Sequence, residues 1–437
     1  MNTLSIFIIN SLLIIVIFIL KFGWCNRMSK EGHISFEDLQ LQFGQSMTPG
    51  SLFMFTEEEN QFRTRIRTFA RKEIYPLVER IDREDNVELV MELIRKMAKD
   101  YLPLAFPKEI GGFGKGTVYR MIFGEELSAI HYPTAVVYGA SCNLFGVPII
   151  HFGTHEQHEK FLKPIMNGTA LGAIGITEPT GGSDAIGGMQ TTAVRNGDVY
   201  IINGEKRFIT NGSIATYILL YCKTNTEVNP KNGISAIVFP TDTPGFEVVK
   251  NFELIGRKGS VNSHLKFHDC EVPVDNLIGN ENEGVKVLTY GLDAERVFTG
   301  SQYLGISRSA FEVATKYATL RRQFGQEIRR FEGISFKIAE MYMKIEAGRL
   351  MLLRAARMVD KKLQATKEAA AAKCFVSDNA VQIVTEALQV LGGIGYTKEF
   401  PLERYFRDVK IAQIGAGTAE ILRYLIQREI YDEIEKL

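Results

Sequence analysis

Cysteine is scarce in this chain of 437 residues. The five present, Cys25, Cys142, Cys222, Cys270 and Cys374, are odd in number and nowhere spaced as C-x-x-C. That excludes a disulfide framework and a cysteine-based zinc site, and it favours a reducing compartment. An excess of one charge is also lacking, since Lys plus Arg equals Asp plus Glu at 51 each. A zero balance argues against a general polyanion binder, because duplex nucleic acid is held by neutralising many phosphates. A local basic groove for one nucleotide stays open. Internal repeats are absent, as are low-complexity tracts beyond the N-terminus. A long apolar run occurs once, at residues 1–20, with Lys21 the first charge and Trp24, Cys25 and Arg27 close behind. About 20 apolar residues span a bilayer. A cationic start and a small-residue cleavage site would mark a signal peptide, and neither is present. Residues 4–20 are therefore expected to tether an otherwise soluble body, or else the chain starts at Met28 and residues 1–27 do not belong to it.

What is present reads as a globular protein, with 45% apolar and 23% charged residues. Length alone implies about three domains. Residues 1–22 form the hydrophobic segment, and the polar stretch 23–55 reads as a linker. From Glu57 the pattern turns helical, with Phe62, Ile66, Phe69 and Ala70 on one face, and residues 56–169 form a helical domain. Residues 170–281 change period. Val199 to Ile202 is β-rich, Asn203-Gly204 signals a hairpin, and Arg207 to Ile209 is expected to pair back; three further strands follow. Residues 282–437 return to long helical segments with few breakers, as in a bundle. The fold class is therefore α+β, in the order helical, antiparallel β, helical.

The strings within that frame carry chemistry. ITEPTGGSD at 176–184 opens the β domain. Its glycines let backbone approach a ligand closely, beside the hydroxyls of Thr177 and Ser183. A Gly-rich turn alone is weak evidence. Four more strings follow in order: NGEKRFITNG at 203–212, RRQFG at 321–325, QVLGGIGY at 389–396 and IGAGTAEILR at 414–423. Together they resemble the acyl-CoA dehydrogenase family from about Glu57 to the end of the chain. The resemblance implies a helical, β-barrel, helical fold and an FAD cofactor. It implies flavin contacts at Ile176, Thr177, Gly182 and Ser183, with Ser183 also near substrate, and packing on the isoalloxazine by Phe208, Ile209 and Thr210, where many members carry Trp in place of Phe208. It implies contacts to the FAD of a neighbouring subunit from Arg321, Gln323, Phe324, Gln389, Gly392 and Gly393, and contacts in the last loop from Thr418 and Glu420. Glu332 departs from the usual Gln, and a carboxylate cannot donate as an amide does.

The family's reaction removes a proton from the α-carbon and a hydride from the β-carbon, so a carboxylate must take the proton. Most members place that Glu just before the Gly-Thr of the terminal loop. Here Ala416 stands there, in Gly415-Ala416-Gly417-Thr418. A minority, including isovaleryl-CoA dehydrogenases, carry the Glu in a D-x-E-R string, which this chain has as Asp293-Ala294-Glu295-Arg296. The helical neighbours of Glu295 are Gly291, Leu292, Phe298 and Thr299. None is cationic, so no local ion pair holds it, and a desolvated carboxylate with a raised pKa is expected. The resemblance implies that Asp293 and Arg296 border the acyl-CoA, and that the Gly415-Ala416 backbone helps polarise the thioester carbonyl.

The implied activity is dehydrogenation of a short or branched acyl-CoA to the trans-2-enoyl-CoA, in fatty acid or branched-chain amino acid catabolism. Electrons would pass to an electron-transferring flavoprotein, and the chain would form a homo-oligomer, a tetramer in particular. The setting implied is the mitochondrial matrix in a eukaryote or the cytoplasm in a prokaryote. Same-fold alternatives are a flavin oxidase, a long-chain acyl-CoA dehydrogenase and a catalytically silent scaffold. His151, His155 and His158 share a helical face but sit among Glu156, Glu159 and Lys160. They read as a solvated surface, and no metal is expected.

Overall fold

The computed structural model describes residues 34–39 and 54–436. The apolar segment, the expected tether at 4–20 and most of the linker lie outside them. Helix α1 (Glu57–Phe69) begins where a capping box sets it. The Thr56 hydroxyl accepts from the Glu59 backbone N–H at 3.2 Å, and the Glu59 carboxylate accepts from the Thr56 N–H at 2.8 Å. The helix buries Phe62 and Ile66, and Ala70 continues the face. Helix α2 (Thr117–Tyr138) is almost wholly buried and kinks at His131, where φ is −151° just ahead of Pro133. The stretch Thr117–Phe152 is long and apolar enough to cross a membrane, yet it is mostly buried and packs on α3 (Leu292–Leu320). Helices α4 (Glu332–Asp360) and α5 (Thr366–Leu391) pack on α3, and α6 (Ala419–Ile434) packs on α5, completing the C-terminal bundle.

Between the helical regions lie eight strands: β1 (Gly172–Gly175), β2 (Thr192–Asn196), β3 (Val199–Thr210), β4 (Tyr217–Lys223), β5 (Ile234–Pro240), β6 (Phe246–Asn251), β7 (Asn262–Pro273) and β8 (Leu277–Ile278). They hydrogen-bond in the order β6-β7-β3-β2-β4-β5-β8, with β1 joined to β4. Pairing is antiparallel except where β1, and one residue of β2, run parallel to β4. The hairpin expected at Asn203-Gly204 does not form. Strand β3 runs straight through, pairing with β7 on both sides of an irregularity at that point. Gly204 has φ 144°, and a Cβ there would fall 2.5 Å from the Thr191 hydroxyl, so glycine serves close approach, not a turn. The Asn203 amide is bonded instead to Asp269, accepting from its backbone N–H and donating to its carboxylate, both at 2.9 Å. The actual turn is Gly197-Asp198, between the paired residues Asn196 and Val199, with Gly197 at φ 59°.

One apolar core runs through both helical regions, and a second lies within the sheet. Strand β4 divides between them by its alternation. Ile218, Leu220 and Cys222 enter the sheet core, while Leu219 and Tyr221 face the helices. A buried ion-pair cluster also joins the two helical regions. Glu126 pairs with Arg63 at 2.6 Å and Arg308 at 2.7 Å; Glu125 pairs with Arg308 at 2.8 Å and Arg349 at 3.0 Å. Burial alone would raise the Glu125 carboxyl, but Arg349, Arg63 and Arg308 outweigh it and hold it at about 2.

Candidate active site

Glu295 sits in the first turn of α3 and is 8% exposed. Its Oε1 accepts from the Thr299 hydroxyl at 2.9 Å, one turn on, while its Oε2 is buried with no partner in the protein. Burial pushes the carboxyl up to about 7, against the opposing pull of the Thr299 hydroxyl and the Arg120 charge. Glu295 opens on a cavity of about 30 Å³, walled by Leu144, Val147, Pro148, Ile174, Ile176, Leu288 and Leu292, and by Arg120, Asn143 and Tyr221. The helical neighbours of Glu295, Gly291, Leu292, Phe298 and Thr299, bring no charge toward it. Arg120 reaches the cavity from α2, a tertiary neighbour that helical spacing cannot reveal. The Asn143 amide faces Glu295 without reaching hydrogen-bond geometry.

The loop after β1 holds Ile176, Thr177, Gly182 and Ser183. Ile176 lines the cavity, and Gly182 and Ser183 are exposed. Two residues not singled out in the sequence fix this loop. Buried Lys206 donates to the Ile176 carbonyl at 3.1 Å and to Glu178 at 2.8 Å, and Glu178 accepts from the Gln190 and Thr191 backbone N–H groups. The Arg207 N–H donates to the Thr177 carbonyl at 2.8 Å, which brings the ITEP segment beside Phe208, Ile209 and Thr210. Phe208 is 52% exposed in the left-handed region at φ 59°. Its ring packs on Phe252 at 4.7 Å, with the Arg207 guanidinium over both. Ile209 is buried, and the Thr210 hydroxyl accepts from Arg257 at 3.2 Å.

The terminal loop is held from below. Lys373, buried on α5, donates to the carbonyls of Ala412, Gly415 and Gly417, each at 2.9 Å, and burial lowers its ammonium to about 8. Ala416 projects exposed between the last two at φ 53°. Thr418 caps α6, accepting from the Ile421 N–H at 3.2 Å, and Glu420 is exposed in its first turn. Asp293 and Arg296 pair at 2.8 Å, and Asp293 also accepts from Thr366 at 2.9 Å. Neither lines the Glu295 cavity, nor does the terminal loop.

A second set gathers elsewhere. Arg321, Gln323, Phe324, Gly392 and Gly393 share a surface groove of about 580 Å³. Phe324 is 93% exposed with φ 51°, and a Cβ on Gly392 or Gly393 would meet nothing within 4 Å. Gln389 and Glu332 are exposed nearby in sequence without lining the groove. Of the helical histidines, His158 bonds the Ile149 carbonyl at 2.9 Å and His151 packs against Tyr290.

Three domains of one family match in order: the acyl-CoA dehydrogenase N-terminal domain at residues 56–169, the middle domain at 173–270 and the C-terminal domain at 282–431. The chain belongs to the acyl-CoA dehydrogenase family. A probable acyl-CoA dehydrogenase of Bacillus subtilis is 40% identical over 379 residues, covering 86% of this chain and 99% of the relative. The CarC subunit of the caffeyl-CoA reductase–Etf complex of Acetobacterium woodii is 37% identical, covering 85% and 98%. The solved structure of butyryl-CoA dehydrogenase from Megasphaera elsdenii superposes with a TM-score of 0.82 at 36% identity, covering 86% and 99%. The protein is thus an oxidoreductase of this family, and its cofactor is FAD. The residues present fit such a group. A large exposed aromatic face is held at Phe208 by strained backbone and a second ring beneath it, which suits stacking on a planar heterocycle.

Proposed function

We propose that this acyl-CoA dehydrogenase oxidises a short acyl-CoA to the trans-2-enoyl-CoA, with Glu295 as the base. The observation that carries the reading is the free, buried Oε2 of Glu295 on a small cavity. A carboxyl brought near neutrality by desolvation is matched to taking a proton from a weak carbon acid at physiological pH. Bound FAD supplies the acceptor for the β-hydride. Ile176, Thr177, Gly182 and Ser183, with Phe208 to Thr210, hold the flavin side of the site, and Thr418 and Glu420 border it. The Ala416 N–H donates to the thioester carbonyl and stabilises enolate charge as the proton leaves to Glu295. Lys373 fixes that N–H, and Asp293 and Arg296 hold the outer acyl-CoA. The cavity's small volume supports a short acyl group over a long one.

The groove at Arg321 and Gly392 takes a neighbouring subunit and its FAD, giving a homotetramer. Electrons leave to an electron-transferring flavoprotein, the partner type in the name of the A. woodii relative. Anaerobic addition of butyryl-CoA to the holoprotein tests the reading, with flavin bleaching as the expected result. Removing the general base costs about 10²–10⁴-fold in rate, so Glu295→Gln should bleach at least that much more slowly while keeping its flavin spectrum. Bleaching at the wild-type rate would refute the base. An unbleached wild type would point to a silent scaffold, and re-oxidation by air at turnover speed to an oxidase.

A further inference from the structure

The loop 252–261, between β6 and β7, backs the end of β3 at two points. Phe252 packs on Phe208, with ring centroids 4.7 Å apart, and Arg257 reaches Thr210, donating from Nη2 to its hydroxyl at 3.2 Å. Arg257 is 7% exposed and sits in the left-handed region at φ 60°. A bulky residue stays in that region only where its surroundings hold it. Here the Asp408 carboxylate, from the short helix Leu402–Val409, accepts from the Arg257 backbone N–H at 2.6 Å. The Ser260 hydroxyl donates to the Arg257 carbonyl at 2.8 Å. Asp408 thus engages the backbone and leaves the guanidinium, and among the described residues no carboxylate forms an ion pair with it.

That charge reaches the reacting region. Burial raises the hydroxyls of Tyr132 and Tyr303, which lie 3.5 Å apart, and Arg257 pulls both the other way. Glu295 acts through space on the same two hydroxyls. The bond to Thr210 also has a fixed sense. A guanidinium has only donors, so the Thr210 hydroxyl accepts there and its own proton points elsewhere. Among the described residues nothing accepts that proton.

We propose that Arg257 is a positioning residue that sets the electron affinity of the flavin, by making the Thr210 hydroxyl a donor toward the isoalloxazine and standing as an unpaired cation behind it. The inference rests on the reading that Phe208 to Thr210 face the flavin. A hydride carries two electrons and one proton, so the reduced ring holds one more negative charge than the oxidised ring. A donor and a cation beside it favour the reduced state, most of all where water is excluded.

The test is the reduction potential of the holoprotein, read against a reference dye with no acyl-CoA present. Arg257→Met should shift the equilibrium at least about tenfold toward oxidised flavin, which is about 30 mV for two electrons. Arg257→Lys keeps the charge and should shift it much less. Thr210→Val keeps the shape, loses the hydroxyl and should shift it in the same direction as Arg257→Met. A wild-type potential in Arg257→Met would overturn the inference, and so would an equal shift in Arg257→Lys. Should Arg257→Met fail to retain FAD, a wild-type potential in Thr210→Val overturns it instead. Phe208→Leu separates the inference from the placement of the flavin. A displaced flavin band in that variant, with the other potentials unmoved, would sink the role of Arg257 alone. An unmoved band would take the flavin away from this strand and both readings with it. Bleaching of the wild type by butyryl-CoA tests the dehydrogenase reading independently of either.

Discussion

Glu295 is held at about 7 against an ordinary 4.5, so folding keeps it neutral where the unfolded chain would ionise. An acid whose folded pKa is raised loses protons first in the unfolded state. Stability therefore falls as pH rises from about 4.5 to about 7 and levels off above, by a total of about 3 kcal/mol. Glu295→Gln should melt above wild type at pH 8, with the gap closing toward pH 4.5; scanning calorimetry across that range checks it. Only the ionised carboxylate is a base, so the rate of flavin reduction in the wild type should climb through pH 7, which rapid-mixing absorbance can follow. The proposal of this glutamate as the base starts from Ala416 at the usual place and the D-x-E-R string at another. Its surroundings were legible only in part. The residues one helical turn from Glu295 are not cationic, but Arg120 and Asn143 come from chain far away in sequence and could not be paired with Glu295 by any local pattern.

Helices and strands show the same division. The start of α1 was readable from Thr56 and Glu59, whose hydrogen bonds are local. Strand β3 was misread at Asn203-Gly204 because an irregular position and a tight turn favour the same residues, and only the partner strand β7 and the nearby Thr191 decide between them. The terminal loop makes the point in reverse. Its glycines and Ala416 were visible, but the side chain that shapes it, Lys373, lies on α5 in a stretch that reads as plain helix. Three carbonyls share that one ammonium. Lys373→Met leaves them without a charged donor and should cost at least about 2 kcal/mol in urea unfolding. It should also slow flavin reduction, since the Ala416 N–H loses its support. Unchanged reduction in a destabilised variant would confine Lys373 to a structural role.

For the whole molecule, the order helical, β, helical was recoverable from changes in hydrophobic period, and the arrangement of subunits was not, because nothing in one chain's pattern shows what meets an exposed face. Phe324, Gly392 and Gly393 present such a face. Phe324→Asp should yield a smaller assembly with less bound flavin in analytical ultracentrifugation monitored at the flavin band. An intact, fully loaded tetramer would remove the groove from the subunit contact. The expected tether is tested by comparing the whole chain with one starting at Met28, of which only the first should sediment with membranes. The buried ion pairs that bind the two helical regions also have a consequence in time. Glu125 and Glu126 leave the ribosome with Arg63 and Arg67 already made, but Arg308 and Arg349 are translated much later. Until they arrive, the two carboxylates lack half of their counter-charge, and closing the first domain around them would strand it in a low-dielectric interior. The region synthesised first is therefore the one that must wait, and a chain stopped after the sheet should remain open and dependent on chaperones until the last helices are made.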